Sequence, residues 1–259
     1  MAIHRHAIWK SPWFIPALIL SGVLVYAGIA AYQAVWLFGC KMASANGLQQ
    51  IMMAMENYRQ ANGCYPPQYL ADKDGRPAHS WRVLILPYLE GDEFRQRYRF
   101  DEPWNGPHNR LLASECPACF RSPNADRKSK SAITGYVVIA GQDTPWHGTL
   151  PLPKEELERI RRRHWKEGSN TRTNTIWFVE AADSGIDWME PRDIPLAQAL
   201  VGINVPGGIQ SNYSEGLPVW MIDGSSSWVP VGISPDAFRA MLTITDGKGK
   251  GRETTALVH

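Results

Sequence analysis

The sequence predicts an α+β fold that begins with one long helix and has long connecting loops. Three observations lead to this prediction. An uncharged apolar run near the N-terminus passes directly into an amphipathic run of helical period. The other helical patterns mostly precede the strand patterns. The 259 residues include 22 Gly, 19 Pro and 11 Trp, which is typical of a loop-rich domain with bulky side chains in its core.

Composition and charge exclude two classes of protein. Hydrophobic residues make up 44% of the chain and charged residues 20%, which is enough apolar side chain for a sizeable core and excludes wholesale disorder. The net charge is +2, so the chain lacks the basic excess that draws a protein to nucleic acid. We therefore expect no nucleic-acid partner.

The first element is predicted to cross a membrane. Residues 15–38 contain no Asp, Glu, Lys or Arg, and at about 1.5 Å per residue their helix spans a hydrocarbon core of roughly 30 Å. Arg5 and Lys10 precede this run and Lys41 follows it, which favours a cytoplasmic N-terminus. The predicted organisation is a cytoplasmic segment at 1–14, a transmembrane helix at 15–38 in contact with the lipid bilayer, and an extracytoplasmic domain at 39–259.

Two kinds of processing compete with a permanent anchor. A cleaved signal peptide normally has an apolar run of about 7 to 15 residues, so the longer run at 15–38 favours an anchor. Residues 37–40 read LFGC and loosely resemble a lipoprotein cleavage box, although Phe38 stands where a small residue is usual. Lipidation of Cys40 is therefore the alternative.

The membrane helix is predicted to continue into the outer domain. Leu48, Ile51, Met52 and Met55 recur at helical spacing, while polar side chains fill the opposite face. The pattern ends at an Asn-Gly pair at 62–63, before two prolines that cannot prolong a helix. We therefore predict one continuous helix from residue 15 to about residue 60. The apolar stripe of its second half is expected to be buried in the domain.

Capping and turn signals predict the later elements. Ser80 is suited to cap a short helix at 81–86, and Ser234 followed by Pro235 is suited to start a helix at 234–242. Asp223-Gly224 is a hairpin signal, because both residues tolerate positive φ. Further predictions are helices at 92–98 and 154–164, a loop at 101–107, and strands at 136–140, 175–181, 217–222 and 227–231.

Two longer blocks carry a family resemblance. Residues 79–90 read HSWRVLILPYLE and residues 100–109 read FDEPWNGPHN. With shorter blocks at 48–51, 65–67, 116–117, 173–176 and 188–193, they resemble, in the same order, the planctomycete pilin-like family catalogued as domain of unknown function 1559 and also labelled bacterial solute-binding family 10. The residues that carry the resemblance include Trp81, Arg82, Asp101, Glu102, Pro103, Trp104, His108, Asn109, Glu190, Pro191, Asp223 and Gly224.

The resemblance covers roughly residues 42–247 and implies a pilin-like shape, in which the outer half of the long helix packs on an antiparallel sheet. Members typically carry a prepilin-type N-terminus and a C-terminal signature of His, nine arbitrary residues and Asp-Gly. This sequence departs from both, because Tyr213 occupies the position of the His and no pilin-type processing site is present. The missing processing site argues against cleavage and methylation by a prepilin peptidase.

The cysteines allow three interpretations. Cys116 and Cys119 form a Cys-x-x-Cys pair that could serve an envelope thiol oxidoreductase, although the flanking prolines suggest a loop. In an oxidising compartment Cys64 could instead pair with either of them and tie their loop to the end of the long helix, which is the structural interpretation we favour. A zinc site would need a fourth ligand such as His108 and has no recognised spacing.

No other motif in the sequence selects an active site. The clustered acids show no spacing that would identify a general acid and base; they are Asp101, Glu102, Glu180, Asp183, Asp187, Glu190 and Asp193. Asp183 and Asp187 are calcium-ligand candidates, with loop capping as the alternative. No nucleophile motif stands beside His79, His108 or His147. Four tryptophans either line a groove or anchor the core: Trp81, Trp104, Trp188 and Trp220.

The sequence thus predicts a non-catalytic, single-span membrane protein without a resident metal or cofactor. Its outer domain is expected to have a structural or assembly role in the cell envelope or a secretion-related system, with other pilin-like or envelope proteins as partners. A membrane-anchored solute-binding module is the alternative, which an aromatic pocket with convergent polar groups would favour. A thiol oxidoreductase would require Cys116 or Cys119 to be exposed with a depressed pKa.

Overall fold

The chain divides into two compact units, Met1–Ala43 and Ser44–His259. A computed structural model describes residues 12–89, 93–123, 132–163 and 175–244. Several predicted features therefore lie outside the described residues: most of the segment 1–14 with Arg5 and Lys10, and Glu90, Asp92, His164, Thr173 and Asn174.

Helices and strands alternate irregularly along the described chain. The helices are α1 (Phe14–Asn62), α2 (Trp81–Leu84), α3 (Glu93–Arg97), α4 (Lys154–Arg163), α5 (Leu196–Ala199) and α6 (Pro235–Leu242). The strands are β1 (Cys64–Tyr65), β2 (Tyr69–Ala71), β3 (Pro77–Ser80), β4 (Tyr136–Val137), β5 (Ile139–Ala140), β6 (Leu152–Pro153), β7 (Ile176–Glu180), β8 (Ile194–Pro195), β9 (Gly216–Met221) and β10 (Ser226–Pro230). Short 3-10 turns occupy Leu86–Tyr88, Asn109–Glu115 and Ala118–Phe120.

The described part of the first unit is the N-terminal part of α1. This part of the helix is long and apolar enough to cross a membrane, with a mean hydropathy of 1.9 over its most apolar window. None of that window is buried inside the protein, so the side chains on every face of this part of the helix are exposed. The core helix of a globular domain would be mostly buried, so this exposure argues against that interpretation of the apolar run.

The part of α1 in the second unit has one buried face. Leu48, Ile51 and Met55 are each at most 1% exposed, and the polar residues between them face solvent. The helix ends as predicted at Asn62, where Gly63 adopts a φ of +77° and donates its N–H to the Arg59 carbonyl at 2.8 Å. Glycine adopts this left-handed conformation without steric cost, which is why the helix ends there.

The largest sheet is antiparallel, with strand order β10-β9-β7-β4. The predicted hairpin joins β9 to β10, and Gly224 has a φ of +90° whereas Asp223 does not have a positive φ. Two-stranded sheets form from β1-β6, β2-β3 and the parallel pair β5-β8. The long helix and the antiparallel sheets confirm the predicted α+β class.

Side chains of the four-stranded sheet alternate between two hydrophobic cores. Phe178 and Trp220 belong to the core that contains the buried face of α1. Val179 and Val219 belong to the other core, which contains Phe238 of α6. Successive strand residues point to opposite faces, so both faces of the sheet are buried. Each fully buried aliphatic or aromatic side chain contributes about 1.5 to 3 kcal/mol to folding.

Two predicted elements are shorter than expected. The strand predicted at 136–140 divides into β4 and β5, because the Val138 N–H bonds to the Asp193 carboxylate rather than to a neighbouring strand. The helix predicted at 81–86 stops at Leu84 and is followed by a 3-10 turn that contains Pro87. Proline lacks the N–H that an α-helix would need there.

Candidate functional site

A buried ion pair between Arg82 and Asp193 lies at the centre of the blocks that carry the family resemblance. Ser80 caps α2 by accepting the Arg82 N–H at 3.2 Å, which fixes the start of the helix that bears Arg82. The guanidinium Nη2 donates to Asp193 Oδ1, and both side chains have no exposed surface. A buried charge needs a partner of opposite sign, and Asp193 supplies it.

The remaining donors of Arg82 bind backbone and side-chain oxygens. Nε donates to the Tyr136 carbonyl at 3.0 Å, and Nη1 donates to Ser80 Oγ at 3.0 Å and to the Glu190 carbonyl at 3.5 Å. The guanidinium also lies 4.7 Å from the centroid of the Trp81 ring. One side chain thus connects α2, β4 and the segment before β8.

Asp193 is held by several donors in addition to Arg82. Its Oδ1 accepts the Val138 N–H at 3.1 Å and the Trp81 indole N–H at 3.5 Å. Burial raises the pKa of Asp193, and Arg82 and these donors oppose the rise. Because the pair is closed to solvent and its donors are used internally, its geometry is that of a structural connection.

The block at 100–109 folds into a loop that binds to itself. Glu102 Oε1 accepts the N–H groups of His108 at 3.0 Å and Asn109 at 2.6 Å. The Asn109 amide group donates to the carbonyls of Arg99 at 2.7 Å and Pro103 at 3.1 Å. The backbone N–H of Trp104 donates to the Ala78 carbonyl at 3.0 Å, which joins the loop to β3. Glu102 and Asn109 therefore serve to close the loop. Asp101, the other acidic residue of the block, is exposed.

Two carboxylates of the segment 183–193, those of Asp187 and Glu190, make local contacts within that stretch of chain. Asp187 Oδ1 accepts the Met189 N–H at 2.9 Å, and Glu190 pairs with Arg192 at 2.6 Å. Asp183 is exposed and has a φ of 46°. In the described residues no group of three or more His, Cys, Asp or Glu side chains is arranged to hold a metal ion. Asp187 thus has the loop-capping contact that was the alternative to calcium binding.

The predicted Cys64 bridge is absent, because Cys64, Cys116 and Cys119 are free thiols in this structure. Cys64 lies on β1 opposite Pro153, with its sulfur 3.7 Å from the Asn62 carbonyl. Cys116 and Cys119 instead belong to the hydrophobic core around Phe120. Burial raises the pKa of both core thiols to about 12, which is opposite to the depressed pKa of a redox-active thiol.

Aromatic and histidine side chains are used mainly for packing. Trp81 and Trp188 have no exposed surface, and the Trp188 indole donates to the Ala113 carbonyl at 2.9 Å. His79 Nδ1 lies 2.8 Å from the Tyr98 hydroxyl, and burial lowers the pKa of His79. The groove interpretation of the tryptophans is therefore replaced by the core interpretation for Trp81 and Trp188, and also for Trp220, which is 9% exposed.

A second polar cluster surrounds the residue that departs from the family signature. Tyr213 is 1% exposed, and its hydroxyl lies 2.9 Å from Ser44 Oγ on α1. Its ring makes an edge contact with Trp228 at 4.9 Å between centroids. Nearby, Glu180 accepts a hydrogen bond from Ser122 at 2.9 Å. Sequence reasoning identified Tyr213 as a departure but not Ser44 as its partner, because 169 residues separate them.

The comparisons with known proteins agree with the sequence blocks. A family model described as a protein of unknown function (DUF1559) matches residues 41–180, just over half of the chain. The chain belongs to this family. No curated protein and no solved structure matches the chain.

The DUF1559 match includes one residue of the buried ion pair and not the other. Arg82 and the loop closed by Glu102 lie within residues 41–180, whereas Asp193, Glu190 and Asp223 lie beyond them. The DUF1559 match alone therefore does not include the partner of its own buried arginine. The structure supplies that partner.

Proposed function

We propose that this DUF1559 protein is a non-catalytic, single-span membrane protein whose outer, pilin-like domain has a structural or assembly role in the cell envelope or a secretion-related system. The observation that supports the proposal is α1. Its first part is apolar with exposed side chains, and its second part contributes Leu48 and Met55 to a hydrophobic core. A helix of this kind serves as a lipid anchor at one end and as part of a folded domain at the other.

The chemistry of the described polar groups supports a structural role. Arg82, Asp193 and Glu102 direct their hydrogen bonds to groups of the same chain. The Cys116 and Cys119 thiols are buried with raised pKa values. We infer an extracytoplasmic location for the domain from the basic residues Arg5 and Lys10 ahead of the apolar run.

The first test is an alkaline carbonate wash of native membranes, followed by intact-mass analysis of the retained protein. We expect the chain to remain with the membranes and to begin near Met1, as a permanent anchor requires. A methylated, shortened N-terminus would support assembly as a processed filament subunit instead. A lipidated Cys40 would identify a lipoprotein. Release of the chain by carbonate would overturn the anchoring proposal.

A double substitution that introduces two charges into the apolar run tests the same anchoring proposal. Changing Val25→Glu and Ile29→Lys together should abolish carbonate resistance, because two charges near the middle of the span are costly in hydrocarbon. The control is Gln49→Lys with Gln50→Glu, which places the same charges at exposed positions of α1 outside the span. We expect the control to remain in the membrane pellet.

A further inference from the structure

The apolar run of α1 contains three exposed polar side chains without a hydrogen-bond partner in the described parts of the chain: Tyr26, Tyr32 and Gln33. Tyr26 is 75% exposed. Ser21, in the same run, satisfies its own hydroxyl by donating to the Leu18 carbonyl at 2.8 Å. Ser21 thus needs no further partner, whereas Tyr26, Tyr32 and Gln33 do, and Gln33 is the one carboxamide of residues 15–38.

The position of these groups in a bilayer would be unfavourable without a partner. Tyr26 lies near the middle of residues 15–38, and Gln33 lies five residues, or about 7.5 Å, from the end of that run. In hydrocarbon no water is available to bond the hydroxyl or the carboxamide, so an unpaired polar group there is costly. A second helix in the membrane would supply the missing partner.

The spacing of Tyr26 and Gln33 places these two residues on one face of the helix. They are seven residues apart, which is one heptad. Gly22, Ile29 and Trp36 occupy the alternating positions of the same seam, at intervals of four and three residues. A Cβ built on Gly22 would meet no atom within 4 Å, so the helix surface is open there to another backbone.

We propose that this seam, formed by Gly22, Tyr26, Ile29, Gln33 and Trp36, binds the same seam of a second copy of the chain, giving a parallel dimer within the membrane. The inference rests on the anchoring in the proposed function. The occupant is a second copy because a carboxamide carries both donor and acceptor groups and is therefore complementary to itself. Two copies with the same topology also bring Gln33 to the same depth as its counterpart. The seam carries no charge that would repel its own image.

The test measures self-association of the full chain. Sedimentation equilibrium in a density-matched neutral detergent gives the dimer dissociation constant of the wild type and of each variant. Gln33→Leu should raise that constant by about five- to thirty-fold, the range expected for one interhelical polar contact. Tyr26→Phe should raise it by a smaller factor. Gln33→Asn, which keeps the carboxamide, should retain most of the association.

Tyr32→Phe is the matched control, because Tyr32 is equally a tyrosine of the apolar run, 71% exposed, but lies off the seam. We expect it to leave the dissociation constant unchanged. A monomeric wild type, an unaffected Gln33→Leu variant, or an equal effect of Tyr32→Phe would each overturn the proposal. Gln33→Leu makes the span more apolar, so it should stay membrane-bound after a carbonate wash. A chain that is retained but monomeric contradicts the dimer alone, whereas a chain that is washed off contradicts the anchor itself.

Discussion

At the scale of single residues, the Arg82–Asp193 pair joins parts of the outer domain that are far apart in the sequence. The two residues are 111 positions apart and have no exposed surface. Through Tyr136, Val138 and Glu190 the pair also holds backbone atoms of three other points in the chain. A buried pair of this kind contributes little net stability when intact, but the loss of one partner leaves a charge without compensation.

We therefore expect Asp193→Asn to lower the free energy of unfolding by about 3 to 5 kcal/mol. The neutral amide would leave the Arg82 charge uncompensated. It would also bring N–H donors to the position of Asp193 Oδ2, which has no hydrogen-bond partner among the described residues. Urea unfolding of the full chain in detergent, followed by near-ultraviolet circular dichroism, measures the change.

Glu115→Gln is the control for this loss, since it makes the same chemical change in an ion pair on the surface. Glu115 and Arg97 are 43% and 49% exposed. Solvent screens such pairs, so the expected change is below about 1 kcal/mol. Equal losses at positions 115 and 193 would contradict the central role of the buried pair.

The buried carboxyl group of Glu180 predicts that the stability of the domain depends on pH. Burial raises its pKa, and hydrogen bonds from Ser44, Ser122 and Tyr136 oppose the rise. A raised pKa means that the folded state holds the proton more tightly than the unfolded state. The contribution is therefore fully present below the unfolded value, near 4.5, and is lost as the pH rises through the folded value.

We expect Glu180→Gln to remove this decline in stability with rising pH. Urea midpoints of the wild type and the variant, measured from pH 4.5 to 8, should converge at the acidic end and separate at the basic end, with the variant more stable there. The amide keeps the shape of the side chain and cannot ionise. Parallel curves across the whole range would show that Glu180 is not the responsible group.

At the scale of elements, α1 combines two environments in one continuous helix. Its capping and its period agree with the pattern read from the sequence, including the stop at Asn62. In the second unit its buried stripe, with Leu48, Ile51 and Met55, meets aromatic residues of the sheet such as Phe178 in one core. The stripe therefore determines whether the domain folds.

Met55→Asp should unfold the outer domain, because a carboxylate would be buried without a partner. We expect a loss of at least about 3 kcal/mol in the free energy of unfolding. Met53→Asp is the matched control, since Met53 lies on the same helix and is 60% exposed while Met55 is fully buried. Near-ultraviolet circular dichroism should show a folded control and an unfolded variant. A folded Met55→Asp domain would contradict the observed orientation of α1.

At the scale of the whole molecule, the chain divides into two units whose exposed surfaces differ. The first unit has the exposed apolar helix surface suited to lipid. The second buries both faces of its main sheet, with one core on the α1 side and one on the α6 side. The DUF1559 match begins at residue 41 and ends at residue 180, so it lies almost entirely in the second unit and covers part of it.

Local features of the molecule were predictable from the sequence. The limits of α1, the Ser80 and Ser234 caps and the hairpin before β10 were all predicted. These features depend on side chains within a few positions of one another, so period, capping and turn residues determine them. The family was likewise identified from short blocks of contiguous residues.

Tertiary structure alone decided which distant groups meet. It paired Arg82 with Asp193 and Tyr213 with Ser44, and it divided the strand predicted at 136–140. It also placed Cys116 and Cys119 in the core, where the predicted bridge to Cys64 is absent. Each of these outcomes depends on how the sheet and helices pack. A sequence pattern of short range carries no record of contacts between residues that lie from about fifty to more than a hundred positions apart.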